Sequence, residues 1–289
     1  MRTRPSYRRI AKPSSWRRLA IATWRAPNDP TIFGAIDVDV TQALELIETV
    51  RRTTGVQVTL THLVIKAVAL AIAENPDGNG LVIGKRAYTR DDIDIFCQVS
   101  SENDRELSGM KIRQADRRSV VDIAEEVLRR AERVRAREDS EVESTKAAMD
   151  RIPSWLLGPV LRLTDFLSYR LGLDLSRLGV AHDPFGSAMV SSIGGIEAGL
   201  DSAFAPLFPI SHVPIVVLVH NVQRRAVVVG DRIEIRPIVS LCFTIDHRFI
   251  DGILSAKLAA TLNDRLTHAL EHLAPEEKEL TAARDRAPS

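Results

Sequence analysis

Cysteine is scarce in this chain, with only Cys97 and Cys242 among 289 residues. Both stand in apolar, strand-like runs, and no Cys or His is spaced from them for a metal, so a disulfide framework is excluded and a reduced, cytoplasmic, metal-free protein is expected. Aromatic residues make up 5%, and 39 Lys+Arg are set against 38 Asp+Glu for a formal net charge of +1. A protein built to neutralise phosphates carries a basic excess, and one reading single strands needs stacking rings, so a general nucleic-acid binder is excluded. There is no uninterrupted apolar run of the ~20 residues that a bilayer span needs, and no secretory leader pattern. The hydrophobic fraction of 45% and charged fraction of 27% are those of an ordinary globular protein with enough chain for a large core.

The balanced total conceals an uneven distribution. Residues 1–28 carry Arg2, Arg4, Arg8, Arg9, Lys12, Arg17, Arg18 and Arg25 and no acid. This basic arm reads either as solvated or as a segment contacting phosphate or a membrane surface. From Ile32 to Val40, IFGAIDVDV alternates as a half-buried strand does. Thr41 comes next, where an N-cap hydroxyl would sit, ahead of Leu44, Ile47 and Val50 at helical spacing. A second helix is expected in VTLTHLVIKAVALAIAENP and a long charged one over Arg117–Glu143; IDIFCQV (93–99) and Met110–Ile112 read as strands.

Residues 152–180 are Leu-rich, with Trp155, Phe166 and Tyr169, and are broken by Pro153, Gly158 and Pro159. They read as one or two short amphipathic helices, apolar enough to cap a pocket or touch a membrane surface. Strand patterns then return at 187–193, 214–222, 226–232 (AVVVG with a DR turn) and 233–245, with a hairpin turning at Gly230-Asp231. A last helix is expected from Gly252 to Leu273, followed by a mobile tail over 275–289. The division expected is a basic arm (1–28), one domain (29–274) with an insertion at about 141–183, and the tail.

The sharpest motif is Asp246-His247-Arg248-Phe249-Ile250-Asp251-Gly252, placed where a β run meets a helix. Such junctions present side chains to a cleft, and His is the side chain best suited to proton transfer near neutral pH. Asp251 stands near enough to orient the loop or the imidazole. The spacing alone leaves a surface or core role for His247 open. His220 and His62 read as structural histidines on apolar elements; His182, His212, His268 and His272 have no motif around them. Thr244 and Cys242 read as core positions that could also line a cleft. Ser191 and Ser192 in MVSSIGG read, on pattern alone, as small strand residues beside a glycine turn.

The seven-residue motif resembles the DHRxxDG signature of the 2-oxoacid dehydrogenase acyltransferase catalytic domain. The wider superfamily, with chloramphenicol acetyltransferase and peptide-synthetase condensation domains, writes it HHxxxDG. IDVDVTQALEL, VTLTHLVIKAVALAIAENP, IRQADRRSVVDIAEE, MVSSIGG and DRIEIRPIVSLCFTIDHR resemble further segments of that domain in the same order, over about 14–140 and 184–273. The resemblance implies an α/β fold: a chloramphenicol acetyltransferase-like two-layer sandwich with a mixed β-sheet and helices on one face.

It also implies an acyltransferase acting between a coenzyme A (acyl-CoA) thioester and a thiol, hydroxyl or amine by direct attack in a ternary complex. His247 would be general base, the Ser191 hydroxyl the oxyanion donor with Ser192 beside it, and Asp251 a loop anchor paired with Arg18, or with Arg17. Asp246 would be structural and Gly252 would permit the turn. A homotrimer or a multiple of it is implied, with active sites at subunit interfaces, and the arm, through Arg8 and Arg9, would meet the CoA phosphates. None of the seven lysines follows an Asp, as a lipoylated one would, and the chain before the first strand is short. A stand-alone form without lipoyl or peripheral-subunit-binding domains is therefore expected, with no covalent lipoyl group and with a separate lipoyl or acyl-carrier protein as a conceivable partner. The alternatives are an acyl-carrier-dependent condensing or esterifying enzyme and a non-catalytic trimeric scaffold.

Overall fold

The computed structural model describes residues 29–84, 86–100, 107–136, 151–178, 180, 183–194, 202–208 and 210–286. Thr31–Ser289 form one compact unit and Met1–Pro30 another, of which only Asp29 and Pro30 are described. The arm, with Arg8, Arg9, Arg17 and Arg18, and also His182, therefore lie outside the described residues.

Strand β1 (Thr31–Asp39) places Ile32, Gly34, Ile36 and Val38 on its inner face, as the alternation predicts. The cap of helix α1 (Thr41–Thr54) differs from expectation: Thr41 is already helical, and the Asp39 carboxylate accepts from both its N–H (2.9 Å) and its hydroxyl (2.6 Å). An ionised acceptor ahead of the first turn suits the helix dipole better than a neutral hydroxyl. Helix α2 (Leu60–Glu74) has nine buried residues distributed around its circumference, which marks it as the central helix beneath the sheet.

Strands β2 (Gly80–Ile83) and β3 (Arg86–Thr89) form a separate hairpin. Strands β4 (Ile95–Ser100), β5 (Leu107–Ile112), β6 (Ala188–Ser192), β7 (Ile215–Val229) and β8 (Arg232–Asp246) join β1 in a six-stranded sheet of order β1-β8-β7-β6-β4-β5. The β4–β6 and β6–β7 pairs are parallel and the rest antiparallel, so the sheet is mixed. Helices α1, α2 and α3 (Val120–Arg135) and α5 (Gly252–Thr267) pack one face through a single apolar core. That is the two-layer sandwich expected. The 214–222 and 226–232 runs prove to be one long strand, β7, kinked by an irregular register between Val219 and Val222, and its hairpin turns at Gly230.

Helix α4 (Ser154–Asp165) carries Pro159 inside it, runs on into a wide turn over Phe166–Arg170, and has no buried residue. Trp155, Leu163, Phe166, Leu171, Leu173 and Leu178 are exposed. Among the described residues no helix is long and apolar enough to cross a membrane. The closing helix breaks at His268 and resumes as α6 (Ala269–His272). Residues 277–286, expected in a mobile tail, form helix α7, with Ala283 fully buried and Arg286 paired with Asp122 and Glu125. Its apolar content is low, so only tertiary contact reveals it.

His62, on the first turn of α2, is buried, and its Nδ1 accepts the Thr59 N–H at 3.1 Å. Burial, aided by the charge of Arg51, lowers its pKa from 6.5 to about 4. Between those values the unfolded chain binds the proton and the folded one does not. Stability is therefore complete above pH 6.5 and is lost as pH falls toward 4, by at most ~3 kcal/mol. His62→Gln, which retains an acceptor for Thr59, should be less stable at pH 7 and show a flatter fall over that range in urea denaturation. An equal fall in both proteins would exclude His62 as the source.

Candidate active site

Strand β8 is the second strand of the sheet and is paired on both sides, with β1 and with β7, along its final stretch. Its last residue, Asp246, anchors the turn into α5. The Asp246 N–H donates to the Pro214 carbonyl (2.9 Å), and its own carbonyl accepts from Phe249 and Ile250 (both 3.1 Å). Its largely buried carboxylate receives the Arg248 N–H and guanidinium, the closest approach being 2.6 Å. Arg248, with its guanidinium half in solvent, thus neutralises a carboxylate that burial alone would disfavour.

The tight turn leaves His247 exposed. Its Nδ1 lies 2.8 Å from the Ile250 carbonyl. A carbonyl can only accept, so Nδ1 carries the hydrogen and Nε2 carries the free lone pair. A base oriented by its own loop is the arrangement that proton abstraction requires. Asp251 has a role that spacing did not single out: its carboxylate caps α5, accepting the Leu254 N–H at 2.8 Å. It thereby holds the loop and starts the helix, while the Ile250 carbonyl orients the imidazole. Gly252 is the first residue of α5. Its backbone has no positive φ, so the turn does not depend on glycine there.

Ser191 and Ser192 end β6. Alternation puts Ser191 with Met189 on the face away from the helices, and its hydroxyl has no partner among the described residues. The Ser192 hydroxyl is turned back on its own chain, accepting the Gly194 N–H at 3.1 Å. Ser191 is opposite Leu218, and Leu218 opposite Cys242, five residues before His247. At ~3.3 Å per residue and ~4.8 Å per strand, roughly 15–20 Å separate Ser191 from His247 within one chain. The two do not meet in a single subunit.

The other histidines are structural or peripheral. His220 is buried, with Nδ1 donating to the Ser240 carbonyl (3.0 Å) and Nε2 accepting from Ala203 (2.8 Å), so both ring nitrogens are satisfied. His212 stacks on Tyr169 and bonds Asp165 at 2.5 Å, tying α4 to the loop before β7. Asp264, His268 and His272 bring one ligand atom each within 4.8 Å. The 264-268-272 spacing was readable, but Arg265 was the missing part. Its guanidinium lies 2.5 Å from His272 Nδ1 and is also paired with Glu74, which puts positive charge beside the cluster and makes it an ion-pair network. Cys97 and Cys242 are free and buried, and burial raises both thiols, Cys97 to about 12, so neither is a nucleophile. Thr244 is buried with its hydroxyl unpaired among the described residues.

Residues 22–149 and 184–274 match the family model described as 2-oxoacid dehydrogenases acyltransferase (catalytic domain). The unmatched stretch between, 150–183, is narrower than the insertion expected. The chain is 24% identical over 232 residues to the lipoamide acyltransferase component of the branched-chain alpha-keto acid dehydrogenase complex of Bacillus subtilis (strain 168), covering 79% of this chain and 44% of that protein. It is 25% identical over 224 residues to the dihydrolipoyllysine-residue succinyltransferase component of the mitochondrial 2-oxoglutarate dehydrogenase complex of Saccharomyces cerevisiae (strain ATCC 204508 / S288c), covering 77% and 39%. It therefore spans less than half the length of these relatives. The fold resembles the cubic core of the pyruvate dehydrogenase multienzyme complex, with a TM-score of 0.63, 20% identity and 85% of each chain covered.

The Phe249 ring packs directly on Gly80 of β2, where an added Cβ would overlap it. Gly80→Ala should cost ~1–3 kcal/mol in chemical denaturation through overpacking. Adding Phe249→Leu should restore most of that loss; no recovery in the double variant would place the strain elsewhere.

Proposed function

The chain belongs to the 2-oxoacid dehydrogenase acyltransferase catalytic-domain family, and we propose that it transfers an acyl group between a CoA thioester and a thiol, hydroxyl or amine acceptor. The observation that carries the proposal is the His247 imidazole, with Nδ1–H held by Ile250 and Nε2 open to solvent at the end of β8.

Nε2 takes the proton of the acceptor as its heteroatom attacks the thioester carbonyl. The carbonyl oxygen becomes an oxyanion, and the Ser191 hydroxyl donates to it, a contribution typically worth 10²–10³ in rate. Collapse of the tetrahedral species breaks the carbon–sulfur bond, and the imidazolium returns its proton to the departing CoA sulfur. No acyl-enzyme is required, in keeping with two buried thiols raised away from the thiolate form.

The separation of Ser191 from His247 within one chain supports a site made by two subunits, His247 from one and Ser191 from its neighbour. A homotrimer or a multiple of trimers is the assembly proposed, and the resemblance to a cubic multienzyme core is consistent with it. Asp251 and Asp246 act by positioning, one at the helix start and the other at the strand end.

Thiol release from acyl-CoA should fall by about 10² or more in His247→Ala and in Ser191→Ala. Co-assembling the two inactive variants should restore activity at about a quarter of the interfaces, because some neighbours then supply an intact His247 beside an intact Ser191. No CoA-dependent turnover in the wild type would dismiss the transfer chemistry. Failure of the mixture to regain activity would dismiss the shared site.

A further inference from the structure

The two layers do not close completely beside the His247 loop. Between the sheet and helices α2 and α5 lies a cavity of about 220 Å³. Its origin is visible in β1, where Gly34 interrupts the inner row of Ile32, Ile36 and Val38. A Cβ built at Gly34 meets nothing within 4 Å. Across from it the helices present a largely apolar wall with small side chains at Ala71 of α2 and at Ala256 and Ala259 of α5, while Phe243 and Ile245 of β8 complete the sheet side.

Among the described residues Ser255 is the only polar one in the lining, and its hydroxyl is already donated to the Asp251 carbonyl at 2.7 Å. Among the described residues no charged side chain lines the space. The position is informative too: Ile245 precedes His247 by two residues, and Ser255 and Ala256 belong to the first turns of the helix that the His247 loop enters. Ala256 is exposed, so the cavity reaches solvent there. Native cores leave few voids larger than a water molecule, and an apolar opening of this size beside a reactive side chain has the character of a ligand pocket.

We propose that this cavity receives the acyl chain, and that the preferred acyl group is a saturated chain of medium length. An engineered apolar cavity of ~150 Å³ takes up the six carbons of benzene, so 220 Å³ has room for about eight. Acetyl would leave most of the space empty. A dicarboxylic acyl group such as succinyl would bring a carboxylate among side chains that offer it no cation and no free donor, a heavily unfavourable burial. The assignment rests on the transfer chemistry proposed for His247, because that chemistry makes an acyl chain the ligand presented at this end of the sheet.

The test is calorimetric titration of the full chain with acetyl-, butanoyl-, octanoyl- and succinyl-CoA, which reads binding without turnover. Each buried methylene is worth about fourfold in affinity, less the cost of ordering the chain. Octanoyl-CoA should therefore bind at least tenfold more tightly than acetyl-CoA, and succinyl-CoA no more tightly than acetyl-CoA. Gly34→Leu and, separately, Ala259→Phe should abolish the octanoyl advantage while acetyl-CoA binding is retained; two fillings from opposite walls guard against one that fails to fold. Equal affinity along the series, or an advantage that survives both fillings, would overturn the pocket. A persistent octanoyl advantage together with an undiminished transfer rate in His247→Ala would instead refute the His247 chemistry and leave the pocket standing.

Discussion

A largely buried carboxylate at the end of β8 has to find partners for its oxygens while the chain reverses into a helix. Asp246 meets that constraint with partners on every side: the Pro214 carbonyl behind it, Arg248 across its oxygens, and the Phe249 and Ile250 amides on its carbonyl. Remove the carboxylate and Arg248 loses its anchor; remove Arg248 and a largely buried charge is left without compensation, the costly half of a broken pair. The direction in which His247 projects is set by this turn. So is the carbonyl of Ile250 that selects its tautomer, and so is the start of α5 at Asp251. The surrounding sheet supplies rigidity, since β8 is hydrogen-bonded on both sides up to its final residues.

Much of this was legible in the sequence, and the reasons are local. The alternation of β1 reports a strand with one face buried, and the turn at Gly230 announces itself by composition. The Asp246–Gly252 motif marks its own place between a β run and a helix. The features that escaped detection depend on partners distant in the chain or on register. The side chain that meets the start of α1 is Asp39 rather than Thr41, a choice that only backbone geometry makes. Helix α7 has too few apolar residues to show a stripe, and is recognised by Ala283 and by Arg286 reaching Asp122 and Glu125. The distance between Ser191 and His247 is a property of strand order, which no local pattern encodes. The vacancy at Gly34 is likewise invisible until its register opposite Phe243 is known.

The two faces of the sheet carry different obligations. The helix-covered face is closed by a continuous apolar core, with an opening beside β1. The other face bears Ser191, His220 and Thr244, covered in part by residues 202–208, where Ala203 bonds His220 and Phe204 meets Phe33 edge-on. Polar groups on that face bond this loop, as His220 does, or one another, as Ser240, Asp37 and Arg225 do, while the Ser191 and Thr244 hydroxyls have no partner among the described residues. A fold with this division can hold its stability on one side and expose chemistry on the other, and changes in the second need not disturb the first.

Strand β2 is four residues long, yet it has business at both ends. At Gly80 it supports the Phe249 ring of the reactive loop, and just beyond Ile83 the Gly84 amide donates to the Tyr169 carbonyl of the 150–183 stretch at 2.6 Å. The stretch that the family model leaves unmatched is thus held at one end of a short ruler whose other end supports the turn that carries His247. Lengthening β2 by two residues would keep every side chain on its face and still separate the group leaning on Gly80 from the one leaning on Gly84 by a further ~7 Å. The spacing of those two glycines is therefore set by two contacts at once, the Phe249 ring at one end and the Tyr169 carbonyl at the other.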